Sequence, residues 1–241
     1  MSRSHKRAAL LSGFALVSAI LWGCSRNSEG GDSPAPSDRA NIYLTGSARS
    51  FSPATAGALP RVYVPNLGSD DVSVIDPYSQ QLVATFRVGR GPQHIVPSWD
   101  LKTLWVTGSA EGKVEGSLTP INPRTGEPGP IQRVEDAYNM YFTPGGQSAL
   151  VVAESRKRLD YRDPQTMKLQ GSLSVPQCPG INHADFERTG SYAIFTCEFG
   201  GSLAKIDVVN RRVLGYLKLA KGGMPQDVRV GPDGGRFSSP T

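Results

Sequence analysis

The chain has 241 residues, of which 26 are basic and 21 acidic, giving a formal net charge of +5. Three basic residues and no acidic ones lie in the first 24 positions, so the rest carries 23 basic against 21 acidic residues, a net charge of +2. This balance argues against nucleic acid or an anionic surface as the main partner. No stretch has the periodicity of a long amphipathic helix, so the sequence predicts an all-β body.

The N-terminal segment, residues 1–23, is predicted to be a lipoprotein signal peptide. Basic residues open it, and the apolar run over residues 8–22 is short for a bilayer span. The run ends Leu-Trp-Gly-Cys, which resembles a lipoprotein processing box with Cys24 as the lipidated residue. An ordinary signal peptide with an incidental cysteine, or an uncleaved anchor, stays open. Either way we expect an exported protein whose body lies outside the cytoplasm. With lipid on Cys24, it is expected to be anchored to the cell membrane and to face the periplasm or the cell exterior.

Residues 24–41 are predicted to form a disordered tether, because Ser25–Arg39 is rich in Ser, Gly, Pro and Asp and has little apolar surface to bury. A lone β-run, Ile42–Thr45, follows it.

From Arg61 onward, short β-runs separated by turn residues recur with a period of roughly 40 to 45 residues, which is the length of a propeller blade. The apolar centres of the opening runs are spaced by 42, 46, 44 and 42 residues, at Tyr63, Trp105, Val151, Phe195 and Phe237. The polar residues that close the next run are spaced by 46, 41 and 44, at Asp76, Asn122, Asp163 and Asp207. The repeats therefore cover about residues 61–100, 101–146, 147–190 and 191–235. We expect Trp99 and Trp105 in the core between blades.

A family resemblance lies in the first repeat. Its Val-Tyr-Val-Pro-Asn run at residues 62–66, Ile-Asp-Pro turn at 75–77, Val-Gly-x-Gly-Pro-Gln-His segment at 88–94 and Ser-x-Asp turn at 98–100 resemble the YVTN-type β-propeller repeat of bacterial exported proteins. The resemblance implies that residues 42–241 form a β-propeller of four-stranded blades. Four full blades are expected with a fifth started, whereas YVTN propellers commonly have seven, so the chain is expected to be a truncated member. An open ring would favour an oligomer or a partner that completes it. The run Ile42–Thr45 is expected to add a strand to the last blade.

Cys178 and Cys197 flank a predicted hairpin whose turn lies at Arg188-Thr189, and the pairing register brings them close together. In an oxidising compartment this predicts a disulfide. Two free thiols remain the alternative, and a Cys/His metal site that includes His183 has no supporting spacing.

The candidate ligand-binding residues are polar side chains at the start of each predicted inner strand. They are separated by 45, 44 and 44 residues, at His94, Asn139, His183 and Asp227, and are flanked by further polar residues at Gln93, Tyr138, Asn182 and Gln226. Inner strands line the central channel of a propeller, so these side chains should form one polar ring. The alternative is that they only cap backbone groups in the tight loops. No metal site is predicted, because His94 and His183 should face each other across the channel, beyond the reach of metal–nitrogen bonds of about 2 Å.

No catalytic constellation and no cofactor motif occurs in the sequence, including the CxxCH pattern of haem attachment. We therefore expect a binding scaffold whose channel rim takes a protein, a glycan or a small molecule. The alternative is an enzyme or redox-partner propeller that is lactonase-like, quinoprotein-dehydrogenase-like or haem-reductase-like, and is inactive or incomplete in this chain.

Overall fold

The computed structural model describes residues 41–43, 51–110, 114–220 and 222–239, all within the compact unit Arg39–Thr241. The predicted signal peptide, Cys24 and nearly all of the predicted tether lie outside the described residues. No helix in the described part of the chain is long and apolar enough to cross a membrane.

The described residues are almost entirely β-structure, with single 3-10 turns at Pro53–Thr55 and Glu198–Gly200. Their seventeen strands are β1 (Val62–Asn66), β2 (Asp71–Asp76), β3 (Gln81–Arg87), β4 (Pro92–Pro97), β5 (Leu104–Ser109), β6 (Glu115–Ile121), β7 (Gln132–Glu135), β8 (Ala137–Phe142), β9 (Ala149–Ala153), β10 (Arg158–Arg162), β11 (Leu169–Ser174), β12 (Ile181–Phe186), β13 (Ala193–Cys197), β14 (Ser202–Asp207), β15 (Arg212–Lys218), β16 (Arg229–Val230) and β17 (Phe237–Ser238).

Consecutive strands pair antiparallel into separate sheets. Within the described residues, three complete four-stranded sheets, β4–β7, β8–β11 and β12–β15, stand between a three-stranded sheet, β1–β3, and a two-stranded one, β16–β17. The predicted all-β architecture of four-stranded sheets is confirmed. The sheet boundaries, however, fall one strand earlier than the repeat boundaries of the sequence, because β4 pairs with β5 and not with β3. The fourth run of each sequence repeat is therefore the first strand of the following sheet.

The chain crosses from one sheet to the next between β3 and β4, at Gly89-Arg90-Gly91. Gly91 has a φ of +58°, and a Cβ there would lie 2.3 Å from the backbone oxygen of Ser109. Only glycine fits such a left-handed, crowded position without strain. The crossover has the same Gly and Pro composition as a hairpin turn, which explains why the composition alone misplaced the boundary.

The core lies between consecutive sheets, in three clusters. One joins β2 to β5 and β6 around Val72 and Ile121, and the next joins β5 to β8 and β9 around Trp105. The third joins β9 and β10 to β12 and β13 around Tyr161 and Phe195. The second strand of each complete sheet lies deep in these layers, and β9 is buried along its whole length. A continuous short apolar run is the sequence pattern of such a strand.

The recurring polar residues at or just after the ends of β2, β6, β10 and β14 form Asx turns. Asp76 Oδ1 accepts from the backbone N–H groups of Tyr78 (2.9 Å) and Ser79 (3.0 Å). Asp163 Oδ1 accepts from Gln165 N and Thr166 N in the same way. Asp207 Oδ1 accepts from Asn210 N at 3.0 Å, and Asn122 Oδ1 accepts from Arg124 N at 2.9 Å. These hydrogen bonds, from the backbone in the first two cases and from Asn210 in the third, hold the pKa values of Asp76, Asp163 and Asp207 below their ordinary range.

In each sheet from β8 onward, a hairpin turn joins the first two strands, and this turn packs against the corresponding turn of the preceding sheet. Each has a glycine with positive φ, at Gly146, Gly190 and Gly234. A Cβ on these glycines would lie 2.3 Å from Trp99, 2.6 Å from Pro144 and 1.9 Å from Arg188, respectively. Each turn thus receives a side chain from the turn of the preceding sheet, and we call this series the turn row.

Cys178 and Cys197 form a disulfide with their Cα atoms 4.7 Å apart, and both are fully buried. The bond links the segment before β12 to the end of β13.

The predicted terminal strand at Ile42–Thr45 is not formed by its first two residues. Ile42 and Tyr43 lie in a turn in which Tyr43 N donates to Asn41 Oδ1 at 2.9 Å. Ile42 N donates to Arg188 O at 2.8 Å, in the turn between β12 and β13. Leu44 and Thr45 lie outside the described residues. An Asx turn at Asn41 places Ile42 and Tyr43 in a turn and not in a strand.

Candidate functional site

The first strand of each complete sheet carries an irregularity at the same place. The pairing register shifts between Pro92 and His94 in β4, between Ala137 and Asn139 in β8, and between Ile181 and Ala184 in β12. A β-bulge bends its strand and redirects a side chain, and bulges are common beside functional sites. Here the bulges lie at the polar positions that the sequence singles out.

These redirected residues meet in one cleft of about 790 Å³. His94, Asn139 and His183 line it from β4, β8 and β12, and Asp227 lines it from the segment before β16. We call this space the axial cleft. Its other polar lining residues include Tyr43, Tyr141, Asp185 and Arg229, and its apolar lining includes Val96, Trp99, Met140, Phe142 and Phe186.

His94 and His183 are in direct contact, with 3.1 Å between their Nε2 atoms and 5.0 Å between their ring centroids. The expectation that they lie beyond the reach of metal–nitrogen bonds to one ion is therefore wrong. The two residues belong to sheets separated by one other sheet, but first strands converge so closely that their side chains touch. Tyr138, on the bulge between them, packs its ring edge against both, with centroid distances of 5.2 and 5.8 Å.

Burial lowers the pKa of both imidazoles, and for His183 the neighbouring His94 lowers it further. Both rings are therefore neutral at pH 7, with one N–H and one lone pair each. The backbone oxygen of Tyr138 lies 2.9 Å from His94 Nδ1 and can only accept, so His94 carries its proton there. His94 Nε2 must then accept from His183 Nε2.

This arrangement leaves His183 Nδ1 as a buried lone pair without a hydrogen-bond partner. The backbone carbonyl of Gln226 and the carboxylate of Asp227 both favour the protonated form of this ring. A buried polar atom without a partner is costly and is a frequent mark of a functional position.

Asn139 and Asp227 line the cleft and cap the backbone at the same time. Asn139 Oδ1 accepts from Met140 N at 2.8 Å, while its Nδ2 donates to the Tyr141 hydroxyl at 3.0 Å. Asp227 Oδ1 accepts from Val228 N at 2.8 Å and pairs with Arg229 at 3.1 Å. The capping role that the sequence left open is thus observed at both positions, alongside their exposure to the cleft.

The flanking residues Asn182 and Gln226 lie outside the lining and hold the loops in place. Their amides donate to the Glu198 carboxylate at 2.6 and 2.9 Å. Asn182 Oδ1 also accepts from His183 N at 2.6 Å, which fixes the bulge beneath the imidazole. Gln93 is the bulged residue of β4 and does not line the cleft either.

Sequence reasoning missed several lining residues. Trp99, expected in the core, is 54% exposed and lines the cleft. Tyr141 is half-buried, and its hydroxyl accepts from Ala184 N at 2.8 Å, which links β8 to β12. Tyr43 donates its hydroxyl to Asp185 and accepts from Phe186 N at 3.1 Å. Asp185 follows His183 by two residues on β12, so its side chain lies on the same face of the strand. This alternation could have identified Asp185 from the sequence, and no such signal identifies the other missed residues.

Among the described residues, no group of three or more His, Cys, Asp or Glu side chains is arranged to hold a metal ion.

No protein-family profile and no curated protein matches the chain. Similar solved structures include Kuenenia stuttgartiensis hydrazine synthase, with a TM-score of 0.63 and 18% identity over 76% of this chain and 53% of that one. A functionally unknown protein from Desulfotomaculum acetoxidans DSM 771 matches with a TM-score of 0.59 and 13% identity over 76% and 59% of the two chains. The dihydro-heme d1 dehydrogenase NirN in complex with DHE matches with a TM-score of 0.52 and 17% identity over 69% and 36%.

At these identities the likeness concerns the fold alone, and the chain spans between 36% and 59% of the length of the structures it matches. Hydrazine synthase and NirN are β-propeller proteins. The described residues therefore have a β-propeller fold of four-stranded antiparallel sheets.

Proposed function

We propose that this chain is a lipid-anchored, extracytoplasmic propeller of the YVTN type that binds a ligand in its axial cleft without transforming it. One observation carries the proposal: three bulged strands and the segment before β16 direct His94, Asn139, His183 and Asp227 into the same space. The Leu-Trp-Gly-Cys24 box supports the anchor, and the Cys178–Cys197 disulfide is typical of an oxidising compartment.

The dimensions and lining of the cleft favour a small organic molecule. Pockets for such ligands commonly measure about 300 to 1,000 Å³ and combine an apolar wall with a few polar groups. Trp99 offers an exposed aromatic face, and Arg229, whose side chain is 65% exposed, offers a cation in the same cleft. A ligand with a flat apolar body and an anionic or polar edge would contact both.

Binding without chemistry is favoured because the polar groups of the cleft are held by the backbone. Asn139 and Asp227 each accept a backbone N–H, and Asp185 accepts from Phe186 N at 2.9 Å and Val230 N at 2.8 Å. A carboxylate held in this way suits the orientation of a ligand better than proton transfer, which needs a free acid or base.

The fluorescence of Trp99 tests the proposal, because Trp105 is only 4% exposed and responds little to cleft occupancy. Nucleosides, aromatic carboxylates and short glycans would be titrated into the purified chain. We expect saturable quenching by one class, which Trp99→Phe removes, Arg229→Ala weakens, and Phe199→Ala leaves unchanged. Phe199 is 62% exposed and lies outside the cleft, so it is the matched control. A folded chain that responds to none of these classes would contradict the proposal.

The second candidate is an enzyme or redox-partner propeller, whether lactonase-like, quinoprotein-dehydrogenase-like or haem-reductase-like. The contact between His94 and His183 favours it, as does the structural likeness to NirN, which is a dihydro-heme d1 dehydrogenase. Titration with haem, followed by visible absorption, separates the two candidates. A histidine-ligated spectrum that His94→Ala or His183→Ala abolishes would favour the redox function, and an unchanged haem spectrum would favour the binding module.

A further inference from the structure

The two Nε2 atoms of His94 and His183 share one proton in their hydrogen bond. If that proton were absent, each Nε2 atom would present a lone pair to the other. With His94 Nδ1 bound to the Tyr138 carbonyl at 2.9 Å, the neutral pair satisfies three ring nitrogens and leaves His183 Nδ1 buried without a partner. In the neutral pair, His183 Nδ1 is therefore the one ring nitrogen that lacks a hydrogen bond.

A cation between the two Nε2 atoms removes that defect. Both rings would then carry their proton on Nδ1: His94 would keep donating to the Tyr138 carbonyl, and His183 would have a proton to donate towards the Gln226 carbonyl, which already acts on this ring. Histidines that bind metal through one nitrogen usually donate the other N–H to a backbone carbonyl or a carboxylate. The surroundings of both rings follow this rule.

The distance between the nitrogens also fits. Two imidazole nitrogens bound to one ion at about 2.0 to 2.1 Å lie about 2.9 Å apart at a right angle and about 3.3 Å apart at the tetrahedral angle. The observed Nε2–Nε2 distance of 3.1 Å falls between these values. A linear two-coordinate ion would need about 4 Å, so the geometry excludes it.

We propose that His94 and His183 bind one divalent transition-metal ion through their Nε2 atoms in the axial cleft, leaving its remaining positions to water or to the ligand of the cleft. The inference rests on the proposed function in that it takes the axial cleft to be a binding site. Imidazole nitrogen selects copper, zinc or nickel over calcium and magnesium, which prefer oxygen.

The charges around the pair permit a cation of modest affinity. The Asp227 carboxylate and the Arg229 guanidinium line the same cleft, so one negative and one positive charge act on a cation bound there. Asp227 is paired with Arg229 at 3.1 Å, and Asp185 is held by Tyr43 and by backbone N–H groups. Two nitrogens are thus the protein's ligands, and the open positions face the volume of the cleft.

Copper(II) is the sharpest probe, because its paramagnetic resonance spectrum reports the nitrogens bound to it. The full chain would carry His5→Ala and Cys24→Ser, since the third histidine and a free thiol would themselves bind copper. We expect one Cu²⁺ per chain, with hyperfine coupling to two nitrogens, and calorimetric titration should show Cu²⁺ displacing bound Zn²⁺. His94→Ala and His183→Ala should each lower the affinity about tenfold or more. Tyr78→Phe, at an exposed tyrosine outside the cleft, should leave the affinity unchanged.

Equal copper affinity in the His94→Ala/His183→Ala double variant would overturn the inference, and so would a spectrum without two coupled nitrogens. If the variants fail to fold, nitrogen-15 spectra of the unsubstituted histidine rings decide. Zinc should shift both Nε2 resonances, and unshifted resonances would reject the site. Repeating the Trp99 titration in EDTA distinguishes the two proposals. If the organic ligand quenches Trp99 but copper does not bind, only the metal site is rejected. If copper binds but no organic ligand quenches Trp99, only the organic ligand is rejected.

Discussion

Asn182 donates to the carboxylate of Glu198 across 2.6 Å, and this buried contact supports the bulge from which His183 enters the axial cleft. Glu198 is 7% exposed and also accepts from Gln226 at 2.9 Å. A single carboxylate therefore holds the residues that flank two members of the polar ring, one on β12 and one in the segment before β16.

Glu198→Ala should lower the free energy of unfolding by about 2 to 4 kcal/mol, because two side-chain amides lose their acceptor and the Asn182 amide is left buried without a partner for that hydrogen bond. Chemical denaturation would measure the loss. Glu127→Ala is the control, since Glu127 lies exposed in a turn and should cost almost nothing. Equal stability of the two variants would mean that the Glu198 contacts do not support the fold.

The Cys178–Cys197 disulfide closes a loop with a sequence separation of 19 residues. A bond of this span should stabilise the chain by about 3 kcal/mol, chiefly by restricting the unfolded state. We expect the Cys178→Ala/Cys197→Ala double variant to unfold at a lower denaturant concentration and to be insensitive to reductant, whereas the parent chain shifts when reduced. Cys24→Ser should show the behaviour of the parent, and a parent chain unaffected by reductant would show that no disulfide had formed.

Gly91→Ala should destabilise the chain by about 1 to 3 kcal/mol or more, because a Cβ would sit 2.3 Å from the Ser109 backbone oxygen at a positive φ. Gly215→Ala is the matched control: it lies in β15, where a Cβ would meet nothing within 4 Å. Thermal unfolding of both variants tests the strain at the crossover. Similar melting temperatures would show that the crossover relaxes around the added methyl group.

The Asx turns predict an acid-sensitive component of stability. Hydrogen bonds hold the folded pKa of Asp163 below its unfolded value of about 3.9, so its contribution is present above that pH and is lost as pH falls through the folded pKa. Asp163→Asn keeps the acceptor oxygen without a titrating group, as Asn122 does in the equivalent turn. Its unfolding free energy should therefore fall less than that of the parent between pH 5 and pH 2.5. Parallel pH profiles would contradict this assignment.

Much of the fold could be predicted because its signals are local. The turns at Asp76 and Asp163 and apolar strands such as β9 depend on residues that are adjacent in the sequence. The regular spacing of these features predicted the repeated four-strand unit. The assignment of β4 could not be predicted from composition, because a crossover between sheets and a hairpin within one use the same Gly and Pro residues.

For the candidate site, too, some features could be predicted from the sequence and others could not. Equal spacing was enough to select His94, Asn139, His183 and Asp227, since equivalent positions in stacked sheets lie near one axis. The His94–His183 contact was missed because it depends on how closely the first strands approach and on the bulges that redirect the side chains. Tyr43 was missed because its contact with Asp185 spans 142 positions of sequence.

The packing of the turn row restricts which amino-acid substitutions the hairpin turns can accept. Because Gly146 receives Trp99, Gly190 receives Pro144 and Gly234 receives Arg188, the shape of one hairpin tip limits its neighbour on either side. A bulkier residue at Gly146 would displace Trp99 and so alter the access of solutes to the histidine pair. Variation in the loops of this face is therefore coupled from sheet to sheet, and new specificity would have to arise through concerted substitutions in adjacent repeats.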